Sequence, residues 1–126
     1  MNTMNKIYIM ILAIMLSSCS LSSITNLLPR DHDSYMVGHW TYAKLSLDRV
    51  DCSYEVGSRG WIYVVEQTEA LAVYTSFRDD PQAKNMQGLN KHANKMLKGG
   101  SQKFCELGVK TANGRLNAAK KAWSGR

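Results

Sequence analysis

The chain has 126 residues and a net charge of +6. That length, less an amino-terminal leader, builds one small domain and excludes two. The longest apolar run, Ile7 to Leu16, rises about 15 Å as a helix, roughly half a bilayer core, which excludes a permanent span.

The elements follow in chain order. Lys6 in a polar start, the apolar run, and the small residues Ser17 and Ser18 before Cys19 are the parts of a secretory signal peptide. The sequence Leu16-Ser17-Ser18-Cys19 is similar to the lipobox of bacterial lipoproteins. The resemblance covers residues 1–19 and implies cleavage after Ser18, with a lipidated Cys19 as the first mature residue. Ser20, where an aspartate commonly marks inner-membrane retention, implies export to the outer membrane and a domain facing the periplasm. Several acyl chains make such an anchor effectively permanent, since each buried methylene contributes about 0.8 kcal/mol. The alternative is an ordinary signal peptide, or a buried apolar helix, with a cysteine nearby by chance.

Residues 19–30 are expected to form a short tether, serine-rich and without charge up to Pro29. A single domain then spans 31–126. Asp31, His32 and Asp33 precede an apolar-periodic run and read as a helix N-cap. The competing reading adds His39 and makes a metal site, yet no further strong ligand is evident, and no metal or cofactor is expected. The stripe Met36, Trp40, Ala43, Leu47, Val50 has the spacing of one buried helix face, and this helix is expected to stop near Cys52.

Residues 61–77 admit two readings. Trp61 to Val65 has strand propensity and Ala72 to Tyr74 offers a hairpin partner, giving an α+β alternative. The intervening Glu66-Gln67-Thr68-Glu69 has no glycine, asparagine or proline to make the turn. A helix from a Ser58 cap places Trp61, Val64, Val65, Thr68, Leu71 and Ala72 on one face, and this is the reading adopted.

A third helix is predicted from Pro81 with Asp80 as cap, its stripe running Gln82, Met86, Leu89, Ala93, Met96 to a stop at Gly99-Gly100. Ser101 caps a fourth, with the stripe Cys105, Val109, Ala112, Leu116, Ala119, Trp123. Gly108 and Asn113-Gly114 are expected to bend or break it. The sum is an all-α, disulfide-stapled four-helix bundle.

With Cys19 acylated, Cys52 and Cys105 remain, and outside the cytoplasm two cysteines in a small domain read as one disulfide. The alternative is two free thiols. Charge is segregated along the chain. Cys19 to Asp80 holds five basic against nine acidic residues, whereas Pro81 to the end holds ten basic against Glu106 alone. The basic half points either to an anionic envelope surface or acidic partner, or to a solvated helical face complementing the protein's own acidic half. Nucleic acid is set aside because the anchor holds the domain outside the cytoplasm.

No catalytic motif is present: no Gly-x-Ser-x-Gly turn, no His-Glu-x-x-His, no phosphate-cradling loop. His92 reads as a boundary residue of the third helix, and a non-enzymatic role is expected. Lipobox, helical pattern and one cysteine pair together loosely resemble the pilotins that escort secretin subunits. That resemblance implies an assembly partner of an envelope complex, with an amphipathic helix lying in a groove between helices. The groove is expected on the third helix, lined by Met86, Leu89 and Met96 and rimmed by Lys91, Lys95 and Lys98. Alternatives are an exclusion lipoprotein that blocks phage or plasmid entry, and a structural envelope lipoprotein resting on anionic glycan or lipid.

Overall fold

A computed structural model describes residues 33–53 and 58–125. The leader, Cys19, the tether, Asp31 and His32 lie outside the described residues. Four helices follow one another: α1 (Ser34–Asp48), α2 (Ser58–Phe77), α3 (Ala83–Leu97) and α4 (Gln102–Ser124). No strand occurs among the described residues, so 61–77 is helical and the hairpin alternative falls. The reason is the one visible in its middle: Glu66 to Glu69 continues a helix and offers no turn.

Local signals set the ends. Asp33 caps α1, its carboxylate accepting from the amides of Tyr35 (3.1 Å) and Met36 (3.3 Å). That helix ends at Asp48, earlier than expected, where the Arg49 amide turns back to Ser46 and Leu47. After α2 the Asp80 amide reaches the Thr75 carbonyl (2.9 Å) and the Asp79 amide reaches Ser76 (3.2 Å). This is a Schellman stop, with Asp79 at φ 49° in the left-handed position that glycine usually takes. The Asp80 carboxylate then accepts from the Gln82 amide at 2.8 Å. Pro81 and Gln82 therefore form an entry turn, and regular helix starts at Ala83 rather than at Pro81. Gly99, at φ 88°, closes α3, and the Ser101 hydroxyl caps α4 by accepting from Phe104.

Each consecutive pair of helices is antiparallel, and α4 returns against α1. Polar ties join every neighbouring pair. His39 Nδ1 meets Gln67 Oε1 at 2.7 Å between α1 and α2, and Asn90 donates to Thr68 and to the Val65 carbonyl between α2 and α3. Asn85 donates to the Arg115 carbonyl between α3 and α4, and the Trp40 indole donates to the Leu116 carbonyl (2.8 Å) between α1 and α4. The core is built from the predicted stripes: Ala43 and Leu47, Trp61, Val64 and Leu71, Met86, Leu89 and Ala93, Ala112, Leu116 and Ala119. Thr75 joins them, its hydroxyl satisfied by the Leu71 carbonyl.

Contrary to the expected bend, α4 runs unbroken through Gly108 and Gly114. Gly108 is buried against α3, and a Cβ there would fall 2.3 Å from Met96 Cε. It is a site of close helix approach. Cys52 and Cys105 form the disulfide, with Cα atoms 5.6 Å apart, tying the segment after α1 to the first turn of α4.

Candidate partner-binding surface

The residues expected to line a partner groove on α3 are not at the surface. Met86 and Leu89 are 0% exposed and Met96 is 3% exposed. The spacing that marked them as one stripe is the spacing of the core face, and that face is turned into the bundle. Lys91, Lys95 and Lys98 are exposed, with Lys95 Nζ 5.7 Å from the Phe104 ring centroid, but they rim no groove of methionines.

The polar residues considered for metal or proton chemistry have structural partners. His39 is held by Gln67 and packs on Tyr35, ring centroids 4.4 Å apart. His92 Nε2 lies 3.0 Å from the Gly108 carbonyl, and its ring stands edge-on to Trp61. Asp33 caps α1 and also accepts from the Tyr74 hydroxyl (3.0 Å) and the Arg78 guanidinium. Burial pushes its carboxyl up, but the Tyr74 hydrogen bond, the Met36 amide, the Arg78 charge and the Tyr35 amide outweigh that and hold it below the usual carboxylate range. No group of three His, Cys, Asp or Glu side chains is placed to share a metal ion among the described residues.

A cavity of about 260 Å³ lies beside the disulfide, walled by Cys52, Trp61, Met96, Gly100, Phe104 and Cys105 with a few neighbours. The Trp61 indole N–H, buried, has no hydrogen-bond partner among the described residues. The walls supply no acid, base or free thiol, since both cysteines are bonded to each other.

The surface that stands out is the outer side of α1 and α2. Of the nine large hydrophobic side chains exposed among the described residues, eight belong to these two helices: Tyr35, Val37, Tyr42, Leu45, Ile62, Tyr63, Val73 and Phe77. Leu107 alone belongs to the α3–α4 pair. Three approaches fix the α1–α2 register: Tyr35 on Tyr74 (4.4 Å), His39 on Gln67, and Gly60 beside the Val50 backbone. In that register Tyr42 lies across the seam from Tyr63, within a helical turn. Advancing 100° per residue from the buried Thr68, residues Tyr63, Glu66, Ala70, Val73 and Phe77 point away from the core. Gly38 and Ala70 are the small residues of this wall, and nothing stands within 4 Å of where a Gly38 side chain would be.

No family model, curated protein or solved structure matches the chain.

Charge is concentrated on the other two helices. Lys84, Lys91, Lys95, Lys98, Lys103, Lys110, Lys120 and Lys121 all lie exposed on or beside α3 and α4. The two ion pairs among the described residues, Lys44–Asp48 and Arg78–Asp33, are both on the α1–α2 side. The bundle thus has an aromatic wall and a lysine wall. The aromatic wall escaped sequence reading because its residues interleave with the core stripe. Helices that are apolar on more than one face blur the period, although the spacing Tyr63, Ala70, Phe77 was there to be read.

Proposed function

We propose that this protein is a lipid-anchored, non-enzymatic binding partner of an envelope complex, held to the outer membrane through Cys19 and facing the periplasm. The observation that carries the reading is the concentration of exposed tyrosine, phenylalanine and aliphatic side chains on α1 and α2. Scattered surface hydrophobics are ordinary, but so many on two adjacent helices mark an interaction surface. Tyrosine suits such a role because it offers a large contact area with few torsions to freeze and a hydroxyl that tolerates water. The lipobox-like Leu16-Ser17-Ser18-Cys19 supports the anchored placement, and the disulfide accords with a compartment outside the cytoplasm.

The test is photo-crosslinking in cells that make the full chain, with a photoreactive residue at Tyr63 and, as control, at Lys121. The expected result is one discrete envelope protein captured from Tyr63 and none from Lys121, with capture abolished by Tyr42→Ser. Diffuse adducts from both positions would remove the reading. Mass spectrometry of the same product checks the anchor: an acylated Cys19 at the amino terminus is expected, and an intact leader or a bare thiol excludes it.

A second reading draws on the lysine wall. Eight exposed lysines with Glu106 as the only acidic residue from Pro81 onwards suit contact with an anionic glycan or lipid surface. Retention on envelope fragments that weakens steeply with added salt is its signature.

A further inference from the structure

Arg115, the single arginine of α4, lies across the seam between α3 and α4. Its Nη1 donates to Asn85 Oδ1 at 3.2 Å, and the Asn85 side-chain amide donates back to the Arg115 carbonyl at 3.0 Å. The guanidinium is laid over bare backbone. A Cβ built at Gly88 would stand 2.7 Å from Nη1, 3.2 Å from Cζ and 3.4 Å from Nη2, so any side chain at position 88 would push the group away. Arginine carries five N–H donors in a planar fork, and the bond to Asn85 uses one of them. Neither Nε nor Nη2 has an acceptor among the described residues, and no carboxylate there pairs with the group.

The surroundings are cationic. Helix α3 contains no Asp or Glu, and α4 contains only Glu106, which accepts from Gln102 at the far end of that helix. Asp80, at the entry to α3, is buried and accepts from the Gln82 amide and the Trp123 indole. Lys84 stands one turn before Gly88 on the same side of α3, and Lys110 one turn before Gly114 on α4, both exposed. The Asn85–Arg115 and His92–Gly108 contacts place Gly88 and Gly114 within a turn of each other along the seam. Nothing lies within 4 Å of a Cβ built at Gly114. The seam at this level therefore has open backbone on both helices, with Arg115 across it and a lysine to either side. Lys91 and Lys98 lean towards α2 and take no part.

A half-buried fork held in place with donors to spare is the arrangement that takes an oxyanion side-on. The flanking lysines choose among oxyanions. A carboxylate brings one charge and two oxygens, which the guanidinium alone answers. A phosphate monoester brings about 1.5 to 2 negative charges at neutral pH and further oxygens, enough to engage Lys84 and Lys110 as well.

We infer that the α3–α4 seam binds a phosphate monoester group, with Arg115, held over Gly88 by Asn85, as its side-on ligand and Lys84 and Lys110 closing on the remaining oxygens. This rests on the reading of the lysine wall as a contact for an anionic surface, and gives that wall one defined site.

The experiment follows the Arg115 Nε–H resonance by NMR in the isotopically labelled full chain, in non-ionic detergent at constant ionic strength. The probes are glucose phosphate, short-chain phosphatidic acid and inorganic phosphate, with acetate as control. The phosphates are expected to shift the resonance saturably, and acetate to leave it in place. Tighter binding of glucose phosphate assigns the site to a glycan, tighter binding of phosphatidic acid to a lipid headgroup, and equal binding of inorganic phosphate to the phosphate group alone. Gly88→Ala keeps every charge but displaces the guanidinium, and Arg115→Lys keeps the charge but loses the fork. Each is expected to weaken binding about tenfold, with helical circular dichroism unchanged. Lys98→Gln, a charge removed away from the seam, is expected to change affinity less than about twofold. Should either seam variant misfold, Lys84→Gln with Lys110→Gln, at exposed positions, takes its place and is expected to weaken binding by a similar factor.

The inference is overturned if acetate shifts the resonance at the same concentrations, if no phosphate saturates, or if Gly88→Ala binds like the wild type. Envelope fragments separate it from the reading it rests on. Salt-sensitive retention that Gly88→Ala leaves unchanged removes the site and keeps the lysine wall as a diffuse contact. Phosphate binding without any salt-sensitive retention removes the contact with an envelope surface.

Discussion

Two glycines in α4 show how neighbours decide the sign of a substitution. Gly114 is exposed, helical, and has nothing within 4 Å of a built Cβ. Gly114→Ala is expected to stabilise the fold by about 1 kcal/mol, the helix-propensity difference, read as a higher denaturant midpoint. Gly108→Ala gains the same propensity but drives a methyl group into Met96, so a net loss of about 1 kcal/mol is expected, read as a lower denaturant midpoint. Asp33 supplies a pH-dependent contribution. Its carboxyl sits below the usual range in the folded chain, so the stability it confers is fully present above about pH 4 and is lost as pH falls through the lowered value. Asp33→Asn keeps a capping acceptor but removes the charge that meets Arg78 and Tyr74. Its unfolding free energy is expected about 1 kcal/mol below wild type at pH 7, with the gap narrowing as pH falls below the usual carboxylate range in paired urea titrations.

At the level of helices, four core stripes and most end signals could be read directly, because each buried face repeats at three and four residues and the Asp33 and Ser101 caps use short polar side chains. The α2 segment was ambiguous since Trp, Ile, Tyr and Val favour strands, and only its lack of a turn argued for a helix. One feature lay beyond reach. The Asp80 carboxylate, which also accepts from the Trp123 indole at 3.2 Å, joins residues far apart in the chain that no local pattern relates. The methionines of α3 suggest a partner groove by residue type, but their spacing is that of a core face, and the structure buries them. A stripe identifies a covered face without saying what covers it. The disulfide gives the clearest expectation at this scale. It closes 53 residues, and converting Cys52 and Cys105 together to serine is expected to lower unfolding free energy by about 4 kcal/mol in the chain-entropy account. A denaturant midpoint unchanged by the double substitution would show that the bond restrains little of the unfolded chain.

Taken whole, the molecule carries its like charges on one side. Eight exposed lysines on or beside α3 and α4 find no ion-pair partner among the described residues, so their mutual repulsion opposes compactness and is relieved by screening. The melting temperature is therefore expected to rise as sodium chloride is increased from about 10 mM to about 0.3 M, over which the screening length shrinks from about 30 Å to under 10 Å. Lys110→Glu should flatten that dependence. A melting temperature that falls with salt would mean that attractive pairs dominate the surface instead. The position of the disulfide bears on a different property, resistance to tension. The start of α1 lies at the pole where Trp123 meets Asp80, whereas Cys52 and Cys105 are joined at the opposite pole. A pull between Asp33 and Gly125 can pay out only the α1 and α4 arms before it meets a covalent stop. The loop holding α2, with Tyr63, Glu66 and Phe77, is spared the strain, so a partner seated on that helix could keep its grip there while the arms are stretched.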